Sequence, residues 1–102
     1  MGRRIEFHEK LVELLGSRHV YFQPPESLKL EYPCIVYLMS RGDTRFSDNV
    51  PYTFDIAYDV TFITKDPDSP LVKTIAMHFP KCRFDRQFTA DNLNHYVYTI
   101  YY

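Results

Sequence analysis

The alternation that runs from Thr53 to Thr64 restricts the fold of this chain more than any other feature. Phe54, Ile56, Tyr58, Val60 and Phe62 interleave with Asp55, Ala57, Asp59, Thr61 and Ile63. Successive side chains of a strand point to opposite faces, so this period of two commits the segment to a sheet. One face lies on a core and the other is expected to be mostly wet. A lone strand is not stable, so other parts of the chain must pair with it.

Candidate partners lie on both sides. Cys34 to Ser40 is almost continuously apolar, the pattern of a central strand covered on both faces. Val20-Tyr21-Phe22, within His19 to Gln23, is a short strand stopped by Pro24-Pro25, because two prolines cannot donate to a ladder. Lys81 to Phe88 predicts a further strand, Thr89 to Leu93 a turn and His95 to Tyr102 the last strand. In that strand Tyr96, Tyr98, Ile100 and Tyr102 share one side, and Val97, Thr99 and Tyr101 the other.

Two stretches have helical spacing instead. Residues 4 to 15 place Ile5, Leu11, Val12, Leu14 and Leu15 among charged residues, and Gly16 stands where a left-handed cap is wanted. After the turn Lys65-Asp66-Pro67-Asp68, Ser69 offers a capping oxygen and Pro70 fits the first helical position. Leu71, Val72, Ile75, Ala76 and Phe79 then form a stripe that Pro80 ends, giving a second helix over 70–79. The order α-β-β-β-α-β-β predicts an α+β fold. It is one domain over 1–102, a single mostly antiparallel sheet of about five strands with two helices packed on one face.

Composition narrows the function. The 102 residues carry a net charge of −1, with twelve Lys and Arg scattered among thirteen acids, and only Arg3 and Arg4 form an adjacent basic pair. Phosphate binding needs a concentrated basic surface, so sequence-specific nucleic-acid binding is not expected. No apolar run approaches the ~20 residues of a membrane span, so no membrane partner is expected either. The opening Met-Gly-Arg-Arg-Ile-Glu-Phe-His lacks the apolar stretch of a signal peptide. Cys34 and Cys82 then read as reduced, buried small hydrophobes of an intracellular protein. Nine Tyr and eight Phe make 17% of the chain, with no Trp. Such a content suits a well-packed monomer or a β protein that assembles with copies of itself.

A search for chemistry finds little. His8, His19, His78 and His95 fall in different elements, without the spacing of a zinc site. Cys34 opens an apolar strand, where a thiol is inert. Cys82 lies between Lys81 and Arg83, which could lower its pKa, but a structural role is the simpler account. Asp55 and Asp59 share a strand face, with Asp66 and Asp68 in the next turn. Clustered acids can hold Mg²⁺ for a nuclease, yet a strand's solvent face is where acids normally go. Arg83-Phe84-Asp85-Arg86-Gln87-Phe88 interleaves bases and rings as single-strand platforms do. On a regular strand Phe84, Phe88 and Cys82 point the same way, toward a core, while Arg83 and Asp85 share the other face and can pair. The expectation is a protein that is not an enzyme and has no catalytic residues, cofactor or metal.

Several stretches carry a family resemblance. Leu15-Gly16-Ser17-Arg18-His19-Val20-Tyr21-Phe22-Gln23-Pro24-Pro25-Glu26-Ser27 and Tyr32-Pro33-Cys34-Ile35-Val36-Tyr37 are two of them. Pro67-Asp68-Ser69, Cys82-Arg83-Phe84-Asp85-Arg86 and Thr89-Ala90-Asp91-Asn92-Leu93-Asn94-His95 are others. Together they resemble small tail-module proteins of tailed bacteriophages, and within these the tail terminator (tail completion) group. The resemblance implies a virion subunit, made in the host cytoplasm, that forms a homo-oligomeric ring, typically a hexamer. Such a ring sits on the last ring of tail tube protein, stops tube growth and meets the head-tail connector. Another neck or head-closure component is the alternative.

A ring uses heterologous contacts, one patch meeting a different one, and loops projecting from a sheet suit that role. The long segment between the second and third strands (Arg45, Phe46, Asp48, Asn49, Tyr52) and the Pro-Pro loop (Pro24, Pro25, Leu28, Leu30) are therefore the expected assembly contacts. Phe46 is an apolar ring in a polar stretch, and buried aromatic anchors dominate interfaces. Phe46→Ala should weaken ring or tail docking without harming the fold.

Overall fold

A computed structural model of the chain describes residues 3–40 and 56–102. The elements follow the expected order: α1 (Arg3–Leu15), β1 (Val20–Phe22), β2 (Cys34–Met39), β3 (Ala57–Thr64), α2 (Leu71–His78), β4 (Cys82–Ala90) and β5 (Leu93–Tyr101). The strands form one sheet in the order β1-β2-β3-β5-β4. Among the described residues only the β1–β2 pair is parallel, and the other three pairs are antiparallel. The fold is α+β.

Both helices cover the same face. Phe7 and Leu11 from α1 and Ile75 from α2, with Phe79 just beyond it, pack on Ile35, Tyr37, Tyr58, Val60, Phe62, Tyr96, Tyr98 and Ile100. The α1 stripe runs through Phe7 and Leu11, one turn apart, rather than through Ile5, which lies off that stripe and is exposed. The Gly16 amide donates to the Val12 carbonyl at 2.8 Å, and Gly16 takes a φ of +80°, which closes α1 as expected. The first turn of α2 is held by Ser69, whose hydroxyl accepts from the Leu71 amide at 3.3 Å. Pro70 bounds the helix in helical conformation but has no side-chain oxygen to offer. Phe79 is already extended, and Pro80 follows.

The buried tyrosines resolve their polar ends within this layer. The Tyr98 hydroxyl donates to the Val72 carbonyl at 2.8 Å, and the Tyr96 hydroxyl donates to the Pro67 carbonyl at 3.3 Å. Each bond ties β5 to α2 or to the turn before it. A hydrogen-bonded tyrosine therefore delivers a large apolar ring to the core without stranding a hydroxyl.

Three sequence expectations are corrected. The second face of β3 is not mostly wet, because Ala57 and Ile63 are buried there, as is Thr99 beside them on β5. Cys34, Ile63 and Leu93 form a second, smaller cluster on this face, covered by Leu30, Tyr21 and Val36. The turn between β4 and β5 is also tighter than Thr89 to Leu93. Asp91 and Asn92 alone make it, with φ of 54° and 62°, the paired left-handed conformation of a two-residue hairpin. The third correction concerns β4.

Candidate interaction surface

Among the described residues β4 is the outer strand of the sheet and pairs only with β5, and from Arg83 to Thr89 every residue is exposed. Its register is regular through Phe84, opposite Tyr98, and resumes at Arg86, opposite Val97. Asp85 is the extra residue of a β-bulge. Past a bulge the alternation of side chains inverts. Cys82, Phe84 and Gln87 therefore share the helix-covered side with Ile100, Tyr98 and Tyr96. Arg83, Arg86 and Phe88 share the open side with Thr99, Val97 and His95.

Phe84 and Phe88 thus point to opposite faces instead of together into the core. Phe84 is 47% exposed and meets the Tyr98 ring edge-on at 5.4 Å. Phe88 is 37% exposed and stacks on the His95 ring at 4.6 Å, with the Arg86 guanidinium 5.4 Å from its centre. Asp85 turns to the open side. There its carboxylate accepts from Arg83 Nε at 2.8 Å and from the Thr99 hydroxyl at 2.5 Å. The local Arg83–Asp85 pair is as the sequence implied. The two bonds hold the bulged residue against the open face.

The open face behind this edge mixes charge and apolar surface. Asp59 lies on β3 across from Thr99, so the carboxylates of Asp59 and Asp85 flank one hydroxyl. Partial burial, and then the charge of Asp85, raise the Asp59 pKa above the ordinary carboxylate value. Asp66 is spent inside its own turn, accepting from the Asp68 amide at 2.9 Å. Asp55 lies outside the described residues. Among the described residues no group of three or more His, Cys, Asp or Glu side chains is placed to hold a metal ion.

The thiols sit in different surroundings but share one property. Cys34 is fully buried, and burial pushes its pKa up to about 11. Cys82 is half-buried against the main core. Burial, with a smaller contribution from Asp85, pushes it up to about 11 as well, so Lys81 and Arg83 do not activate it. Both thiols are protonated at neutral pH and poorly nucleophilic.

The expected assembly residues divide. Pro24 is half-buried and Pro25 exposed; Leu28 stands out into solvent, 42% exposed, in a turn closed by its amide on the Pro25 carbonyl at 3.0 Å. Leu30 is partly buried, packing against the second cluster and anchoring the loop to the open face. Arg45, Phe46, Asp48, Asn49 and Tyr52 lie outside the described residues. The β4 edge is the surface that sequence reasoning missed. Its signal was present: three charges among the four residues Arg83 to Arg86 are more than an inner strand tolerates.

Comparison of the chain with protein-family models, with curated proteins and with solved structures gives no match.

Proposed function

We propose that this chain is a structural subunit of a phage tail, of the tail terminator kind, whose surfaces serve assembly rather than catalysis. The single observation that carries the reading is β4, an outer strand nine residues long that holds an exposed aromatic ring on each side. An isolated domain gains nothing from two such rings in water, and exposed aromatics beside arginines are what interface anchors look like. The Pro-Pro loop adds Leu28 as a second apolar projection. The raised thiol pKa values agree with a chain whose cysteines pack rather than react. The sequence stretches that resemble tail-module proteins supply the biological setting.

The test is direct. Purified protein mixed with tail tubes and viewed by negative-stain electron microscopy should cap tube ends and stop further tube growth. Binding to the portal side alone would point to a head-closure component instead, and no binding to either would overturn the assembly reading.

A further inference from the structure

We infer that, before it joins any larger assembly, the free chain pairs reversibly with a second copy of itself, β4 against β4, in one antiparallel register. This inference goes beyond the tail reading and does not depend on it.

The hydrogen-bonding directions of β4 follow from its pairing. Ile56 and Tyr102 exchange both backbone bonds, so the even-numbered residues of β5 bond toward β3 and the odd-numbered ones toward β4. The Tyr101 amide accordingly donates to the Lys81 carbonyl at 2.9 Å. On β4, Arg83 and Phe88 therefore face β5 with their backbone groups. Cys82, Phe84, Gln87 and Thr89 turn their N–H and C=O groups outward.

Without the bulge these outward positions would be evenly spaced. The extra residue moves their centre of symmetry from a residue to the Asp85–Arg86 peptide. A second β4 laid antiparallel about that point pairs Cys82 with Thr89 and Phe84 with Gln87, so every outward group meets an outward group. The two bulges lie opposite each other, so the wider step in one strand matches the wider step in the other.

The side chains agree with the same register. Asp85 stands across from Arg86 of the second copy and Arg86 across from Asp85, so opposite charges meet twice at the centre. Arg83 stands across from Phe88 of the second copy on the open side, where Phe88 already attracts the guanidinium of Arg86. Cross-strand neighbours of opposite charge favour a pairing, whereas like charges oppose it. The bulge thus places unlike charges at the symmetry point. A regular strand centred on Arg86 would set two arginines face to face.

A single strand pair is a small contact by the standards of permanent dimers, so the complex is concentration-dependent. Light scattering should give twice the 12.2 kDa chain mass at high concentration, falling toward one chain on dilution. Arg86→Asp, an exposed position, should retain the circular dichroism spectrum of the unaltered chain yet scatter as one chain throughout.

The register is tested by crosslinking. Arg83→Cys and Phe88→Cys are made separately in a Cys82→Ser background, mixed and treated with dipyridyl disulfide. The mixture should give a covalent dimer on a non-reducing gel. Each variant alone should not, because its two copies of the thiol lie about 16 Å apart along the paired strands, beyond disulfide reach. A single-chain mass at every concentration, the absence of a crosslink in the mixture, or equal crosslinking by one variant alone would overturn the proposal.

Discussion

The Tyr37 hydroxyl lies 2.8 Å from Nδ1 of His8, and it also accepts from Arg4 Nη1 at 3.4 Å. A phenol has one proton to give. In the neutral His8 tautomer that carries its own proton on Nε2, Nδ1 accepts the hydrogen bond from Tyr37. A proton on Nδ1 would turn an acceptor into a donor and bring a second cation beside Arg4.

Burial, with Arg4 and Arg18 adding to it against the opposing charge of Glu9, accordingly lowers the His8 pKa below its ordinary 6.5. A group whose folded pKa is depressed contributes stability above its unfolded pKa and loses it as pH falls toward the folded one. Urea midpoints should therefore drop as pH falls below 6.5, and the slope should flatten in His8→Gln. Because α1 carries His8, the loss should appear first in the helical signal.

Phe7 touches more aromatic rings than any single pair can explain. It stacks on Tyr58 at 4.7 Å and lies 5.2 to 5.4 Å from Tyr37, Phe79 and Tyr102. Phe7→Ala should cost about 3–5 kcal/mol, since the surrounding sheet cannot collapse into the space. Ile5→Ala, an exposed change on the same helix, should cost less than about 0.5 kcal/mol. Equal effects in urea denaturation would show that α1 does not dock through Phe7.

Asp59 carries its charge against burial and against Asp85. A raised folded pKa means that the protonated form is the favoured one, so the wild type gains stability as pH falls through that pKa. Asp59→Asn should be more stable than wild type at neutral pH, and the difference should close at acidic pH. Thermal melts at two pH values measure it.

The Asp91–Asn92 turn has both residues at positive φ. Asn92→Gly should leave stability unchanged or raise it. Asn92→Val should cost about 1–2 kcal/mol, the penalty for a left-handed conformation with a branched side chain. Chemical denaturation of the two variants separates this backbone effect from any loss of side-chain contact.

Periodicity made most of the fold legible, because the strand and helix repeats at Tyr58–Phe62, Tyr96–Ile100 and Leu71–Phe79 each had only one reading. What stayed hidden depended on contacts between distant residues. Nothing near Asp85 announces that it will be the extra residue of a bulge or that the Thr99 hydroxyl will donate to it. Once one residue is inserted, every side chain after it changes face, so the regular alternation that sets Phe88 beside Phe84 fails. Phe7 stays hidden for a related reason: helical spacing names a stripe, but the aromatic neighbours that make one member central come from four separate parts of the chain. Leu30 stands in a loop, where its sequence position allows it to anchor on the domain or on a neighbour, and the sheet beneath it shows that it packs on the domain. Arg45, Phe46, Asp48, Asn49 and Tyr52 lie outside the described residues.

Leu30 packs against the cluster that buries Cys34, and that arrangement turns a silent thiol into a clock. The sulfur has no contact with water while the Pro-Pro loop is seated, so an alkylating reagent can reach it only when the loop lifts or the strand opens. The labelling rate of Cys34, read by mass spectrometry, therefore counts how often the loop lifts or the strand opens, and a partner that clamps the loop would slow the first of these.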